Sequence, residues 1–224
     1  RKNESAYTVA EVEPGQIAAV AVSPGDGISK VFASLGAAHI VTGGQTMNPS
    51  TEQILKAIEN LPTDKVIILP NNKNIILSAQ NAASQSKKTV AVINSKNVPQ
   101  GISAMLRLDP DGDFDTIVSE MNSALTDVES GEITKATRTV ELDGVKVNEG
   151  QFIAIHNGKL KIAADSLEDA LFSFLTEANV EDYERITLFY GSNLEKTEAD
   201  DLIEKVQEKY PEHEIECHFG RQPH

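Results

Sequence analysis

Unbroken apolar runs set the pattern of the first half of the chain. Ile17-Ala18-Ala19-Val20-Ala21-Val22 has no polar member, nor has Val66-Ile67-Ile68-Leu69. A strand with one wet face alternates apolar and polar residues, whereas a parallel strand covered on both faces is apolar throughout. Strand-like runs at 17–22, 38–41, 65–70 and 89–94 are each followed by helical spacing, at 28–36, 51–61, 74–84 and 100–108. Strict alternation with short loops predicts right-handed crossovers and a parallel sheet.

After Asp109 the period changes. Residues 114–125 keep helical spacing, but 133–142 alternates with period two, which predicts one strand. Residues 150–164 set Asn157-Gly158 between two strand-like arms. Both central positions of a type I′ turn need positive φ, which Asn-Gly adopts readily, so an antiparallel hairpin is expected there. Helices are expected at 166–178 and 195–210, and strands at 185–191 and 214–219. The fold class is therefore α/β, with a parallel Rossmann-like βαβ half over 1–112 and a second, α+β half over 113–224.

Composition adds limits. A chain of 224 residues with 40% hydrophobic content buries a core without staples. Its one cysteine, Cys217, excludes an internal disulfide and a cysteine-rich metal site, and fits a reducing cytoplasm. No apolar run approaches the ~20 residues of a membrane span, so no membrane insertion is expected and the chain reads as cytoplasmic. It opens at Arg1 and stops at Gln222-Pro223-His224 just after a strand-like run, as a fragment of a larger protein would.

Charge is placed unevenly. Residues 1–112 carry 10 Lys and Arg against 9 Asp and Glu, a net +1, and residues 113–224 carry 10 against 25, a net −15. Such a field repels phosphate backbones, so no nucleic-acid partner is expected. The exposed-helix acids Glu195, Glu198, Asp200, Asp201, Glu204 and Glu208 are candidates for steering a basic partner, and equally make an ordinary solvated helix face.

Candidate chemistry lies on the loops that follow the parallel strands, because ligands of such sheets sit beyond the strands' carboxyl ends, where helices begin. The loops are 23–29, then Thr42, Gly43, Gly44, Gln45 and Thr46, then 70–74 with Asn71, Asn72 and Asn74, then 94–101. Two readings stand for the second loop. Gly43-Gly44 with the Ser50/Gln53 capping box is sufficient for a turn into a helix, and the same backbone donors and hydroxyls could cradle an anion. No phosphate-loop or dinucleotide fingerprint is present, and no nucleophile–base pair is readable, so a free-standing enzyme has least support. Asp109, Asp111, Asp113, Asp115 and Glu120 fit a calcium-loop frame except for Phe114 where glycine is required. His213 and His218 cannot share a metal with Cys217, which reads as a packed thiol, because alternation separates Cys217 from His218. His156 reads as a histidine flanking the hairpin turn.

Three stretches, VTGGQTMNPSTEQILKAI, VIILPNNKNIILSAQNAA and VAVINSKNVPQGISAML, closely resemble the C-terminal domain of the A subunit of bacterial fatty acid kinase, and the ending GRQPH is similar to that family's last motif. The resemblance implies a DegV-like two-lobed architecture and a parent with a dihydroxyacetone-kinase-like N-terminal domain. It implies that the parent, with ATP and Mg and as a homodimer in one possible assembly, phosphorylates a fatty acid presented by a separate acyl-binding B subunit. The fragment itself would hold no catalytic residue, metal or cofactor and would dock the B subunit. The alternative is a DegV-type domain that binds a fatty acid or small carboxylate itself. Acyl binders of that type hold the carboxylate with hydroxyls on the second and third loops. Here Thr42 and Thr46 keep hydroxyls on the second, while the third offers asparagines and no hydroxyl before Ser78.

Overall fold

The computed structural model describes residues 7–44 and 47–223. The chain forms two compact units, one running through Val128 and including Phe219–Pro223, the other spanning Glu129–His218.

The first unit contains β1 (Ile17–Ser23), α1 (Asp26–Ser34), β2 (His39–Thr42), α2 (Thr51–Glu59), β3 (Lys65–Leu69), α3 (Ile76–Gln85), β4 (Thr89–Val92), α4 (Val98–Met105) and α5 (Phe114–Ser123). Its sheet runs β2-β1-β3-β4, with every pairing parallel. All of β1 is buried, as is β3 from Val66 to Leu69, which explains why 17–22 and 66–69 carry no polar residue. From β1 the chain steps to β2 on one side and then returns to β3 on the other. The loops after β1 and β3 thus part around the crevice where sheets of this kind hold ligands.

The unit extends past the boundary expected at 112 because α5 packs against α4, burying Ile117 and Met121. The change of period near Asp109 marks the end of the sheet, not of the core. Another long-range tie comes from Lys88, whose Nζ donates to the carbonyls of Ile58, Glu59 and Leu61 at 3.0, 3.3 and 2.6 Å, closing the carboxyl end of α2. A cation there satisfies orphan carbonyls and opposes the helix dipole. Replacing Lys88 with methionine keeps the stem and removes the donors, and urea denaturation should show a loss of about 1–2 kcal/mol.

The second unit contains β5 (Gly131–Lys135), β6 (Val140–Leu142), β7 (Val145–Val147), β8 (Phe152–His156), β9 (Lys159–Ala164), α6 (Leu167–Glu177), β10 (Arg185–Tyr190), α7 (Lys196–Lys209) and β11 (Glu214–Phe219). Strands β5-β8-β9 form an antiparallel sheet, β6-β7 a hairpin and β10-β11 a pair. The Asn157-Gly158 turn is present, at φ 51° and 77°. The single strand expected over 133–142 is instead two, β5 and the start of a separate hairpin that turns at Asp143-Gly144, φ 54° and 80°. That Asp-Gly pair is the same type of signal as Asn157-Gly158. The Asp143 carboxylate accepts the Leu160 N–H at 2.9 Å, so the turn is pinned to β9. Leu171, Leu175, Val180, Ile186, Val206 and Tyr210 form the core of this unit. The observed class is the expected one: a parallel α/β half and an α+β half with antiparallel hairpins.

Candidate functional site

The candidate residues after β2 are held by the end of β1. Thr42 is exposed and stands in register with Ser23, and the Gly43 N–H donates to the Ser23 carbonyl at 2.9 Å. Gly44 and Met47 exchange backbone hydrogen bonds of 2.7 and 3.3 Å across the turn. Gln45 and Thr46 lie outside the described residues. Gly44 has φ 147°, and a Cβ on it would stand 2.7 Å from the Pro24 Cβ, while one on Gly43 would press into Pro49 Cδ. Steric closeness and positive φ therefore account for both glycines without a ligand.

The three asparagines after β3 serve unequal roles. Asn71 is 6% exposed and sits at φ 54°, a left-handed position that asparagine tolerates better than most residues. Its Nδ2 donates to the Val22 carbonyl at 2.9 Å, its Oδ1 accepts from Ser95 Oγ at 2.8 Å, and its N–H donates to that same Oγ at 3.0 Å. Gly101, on α4, lacks the Cβ that would collide with this amide. One side chain thus ties the ends of β1 and β3 to the loop after β4. Asn72 Oδ1 accepts the Asn74 N–H at 2.9 Å, an Asx turn leading into α3, and the Asn74 side chain is exposed. The structure brings Thr42 and Asn71 to the same edge, flanking β1: one is paired with Ser23, the other bonded to Val22.

Three of the four helix starts along this edge, those of α1, α2 and α4, are capped by the chain's own groups, while α3 begins without a side-chain cap. Ser50 and Gln53 form the reciprocal box at α2 that their spacing spelled out. Asn97 Oδ1 accepts the Gln100 N–H at α4. At α1, which has no side-chain cap, the Gly220 carbonyl accepts from the Gly27 and Ile28 N–H groups at 3.1 and 3.3 Å. Ser23 and Ser29, both buried, bond to each other at 2.9 Å and to the Gly25 carbonyl at 3.0 Å. Sequence reasoning missed Ser95 and Gly220, whose partners lie far along the chain.

The acids of α7 divide into two sets. Glu198 accepts the Glu195 N–H at 3.2 Å, closing the helix start, and Asp200 pairs with Lys196 at 2.6 Å, a bond that raises the Lys196 pKa. Lys205 pairs with Glu168, which raises its pKa likewise. Asp201, Glu204 and Glu208 are exposed and make no ion pair among the described residues. Their i, i+3, i+7 spacing puts them on one face.

Other polar groups are structural. Asp113 caps α5, accepting from the Thr116 N–H at 3.0 Å and hydroxyl at 2.8 Å, which hold its carboxyl below the usual range, and Asp109 accepts the Asp111 N–H at 3.0 Å. No group of three or more His, Cys, Asp and Glu side chains among the described residues could hold a metal ion. His156 has acid partners that its sequence neighbourhood did not reveal: Glu129 at 2.5 Å and Glu177 at 4.0 Å, with Phe174 edge-on to its ring. Cys217 is half-buried, and burial raises its pKa. A hollow of about 700 Å³ lies at the opposite, amino-terminal edge of the sheet, lined in part by Gln16, Ala38, Leu61 and Pro62. No helix among the described residues is long and apolar enough to cross a membrane.

Among solved structures, the chain is similar to the Streptococcus pneumoniae fatty acid kinase B3 protein loaded with linoleic acid, with TM-score 0.59, 12% identity, and coverage of 90% of this chain and 92% of that one. At that identity the likeness concerns the fold, which is thereby DegV-like. Among curated proteins, an uncharacterized protein of Staphylococcus aureus (strain USA300) is 38% identical over 95% of this chain, and one of Staphylococcus epidermidis is 39% identical over 93%. The chain spans 39% and 38% of the length of these two relatives. The signature of the FakA-like C-terminal family, the C-terminal region of proteins like the A subunit of fatty acid kinase, matches residues 18–224, and the chain belongs to that family.

Proposed function

We propose that the domain is the non-catalytic C-terminal part of a two-component fatty acid kinase and docks the acyl-binding B subunit. The fatty acid held by that subunit would receive its phosphate from ATP, with Mg, in the N-terminal domain of the parent, in the cytoplasm. Family membership supports the kinase assignment. One observation favours docking over carrying a ligand: at the carboxyl edge, where a sheet of this kind would hold a carboxylate, the Asn71 amide and three of the four helix starts are already satisfied internally. The Asn71 amide is bonded through both its oxygen and its nitrogen, and α1, α2 and α4 begin on bonds to the chain's own groups. An anion arriving there would have to displace bonds already made.

The alternative, a domain that carries a fatty acid itself, draws on the fold likeness to a linoleic-acid-loaded protein. Two measurements on the isolated domain separate the readings. Calorimetric titration with an acyl-loaded B subunit should show saturable binding, and mass spectrometry of organic extracts should find no near-stoichiometric acyl lipid. Copurified lipid with no B-subunit binding would establish the carrier reading instead. The domain alone should not turn over ATP, since it carries no phosphate-cradling lysine loop, and saturable turnover would overturn the non-catalytic assignment.

A further inference from the structure

The turn between β8 and β9 holds a chemically labile pair. Asn157-Gly158 is the one Asn-Gly sequence in the chain. A backbone nitrogen can attack the side-chain amide carbon of the asparagine before it, and glycine, having no Cβ, shields its nitrogen least. In the turn His156 pairs with Lys159, Asn157 and Gly158 have φ 51° and 77°, and both are exposed. A two-residue loop with both φ positive is a type I′ turn. That geometry sets the Gly158 nitrogen nearly opposite the Asn157 Cβ across the Cα–C bond, whereas the five-membered ring of the attack needs the two nearly eclipsed. The closed turn therefore holds the reacting atoms apart.

Two contacts keep it closed. Asn157 Nδ2 donates to Glu129 Oε2 at 3.3 Å, which ties the side chain to the segment entering β5, and the same carboxylate oxygen lies 2.5 Å from His156 Nε2. On the other arm, the Asp143 carboxylate accepts the Leu160 N–H at 2.9 Å. Each contact is a single hydrogen bond beside the exposed tip of a hairpin. Such tips open locally, at a free energy below that of global unfolding.

We propose that Asn157 is a deamidation site gated by this hairpin: closed, the turn protects the amide, and opened, it lets the Gly158 nitrogen close a succinimide ring. In that step the Gly158 nitrogen gives its proton to hydroxide and bonds to the Asn157 Cγ, and the bond from Cγ to Nδ2 breaks. The nitrogen leaves as ammonia, taking a proton from water. Water then opens the ring at either carbonyl and leaves aspartate or iso-aspartate at 157, so that in sum an amide and water become an acid and ammonia. Both products put a carboxylate where the amide had met Glu129, in the acidic half of the chain. Iso-aspartate also adds a methylene to the backbone, lengthening a loop whose turn type depends on its length, so the hairpin does not close again as it was.

The test sets the native chain against a synthetic peptide of residues 151–164, both incubated in mildly alkaline buffer, with the fraction of acid at 157 read by peptide mapping and mass spectrometry. An isolated two-stranded hairpin is marginal in water, so the peptide gives the rate of the open turn. The native chain should convert at Asn157 more slowly by about tenfold to a hundredfold, and there ahead of its other asparagines. Two variants lift the contacts singly. Glu129→Ala frees the amide, and Asp143→Gly frees Leu160 while placing at φ 54° a residue that adopts it without strain. Each should quicken conversion by about fivefold while a cooperative thermal transition is retained, the effect of one net hydrogen bond on a local opening. A native chain as fast as the peptide would overturn the gate, as would unchanged rates in the folded variants. No acid at 157 in the native chain or in any folded variant, once the peptide has fully converted, would overturn the site. Should neither variant fold, the native chain against the peptide decides the matter.

Discussion

Replacing Asn71 with alanine should lower the stability of the first unit by about 3 kcal/mol or more, more than any other change at the candidate site. Two losses combine. The Val22 carbonyl and the Ser95 hydroxyl lose buried partners, each worth about 1–3 kcal/mol when left unsatisfied. Alanine must also hold φ near 54°, which costs a residue with a Cβ about 1–2 kcal/mol. Asn71→Gly removes the same side chain but adopts that φ freely, so it should recover about 1 kcal/mol of the loss. Asn72→Ala, which forfeits one exposed Asx-turn bond, should cost no more than about 1 kcal/mol. Urea denaturation followed by circular dichroism measures all three. If Asn71→Ala unfolds within ~1 kcal/mol of the native chain, the asparagine does not tie the strand ends together, and its amide becomes available for a ligand.

That contrast shows where the sequence stopped being informative. Asn71, Asn72 and Asn74 look alike on the page, because a polar loop after a strand says only that the chain turns there. What distinguishes them is a partner 24 positions away, Ser95, and a glycine on another helix that makes room. Such pairings carry no periodic signal. The α/β alternation was legible because burial on both faces forces β1 over 17–22 and β3 over 66–69 to be apolar at consecutive positions, a constraint written locally. The helix start at Ser50/Gln53 was legible for the same reason, since cap and partner sit three residues apart. The turn between β6 and β7 was written locally too, as Asp143-Gly144, but the break between β5 and β6, at 136–139, lies inside the period-two pattern that concealed it. The domain boundary was not, since α5 joins the first unit through packing that the change of period does not reveal. The glycines of the loop after β1 mislead most. In sequence they suggest a loop shaped for a ligand, and in the structure they admit residues 219–222 of the same chain.

The acidic candidates of α7 yield the second large prediction, which rests on the docking reading. Of the six, Glu195, Glu198 and Asp200 are engaged in the helix start and an i,i+4 pair, so changing them would alter the helix as well as its field. Asp201, Glu204 and Glu208 have no such internal duty, and Lys205 beside them is paired with Glu168. The triple variant Asp201→Asn, Glu204→Gln, Glu208→Gln should keep its stability within about 0.5 kcal/mol, as surface changes without partners do. Its association rate with an acyl-loaded B subunit should fall by about tenfold at low ionic strength, because removing like charges from one face weakens the long-range field that orients the encounter. Dissociation should change far less, since rim charges act on approach more than on the formed contact. The gap between native and variant rates should close as salt rises, becoming negligible near 1 M, where the screening length is about 3 Å. Stopped-flow measurement across that range decides it. Equal rates at low salt would remove α7 from the encounter while leaving docking itself intact, because the titration of the unmodified domain against the B subunit tests that separately.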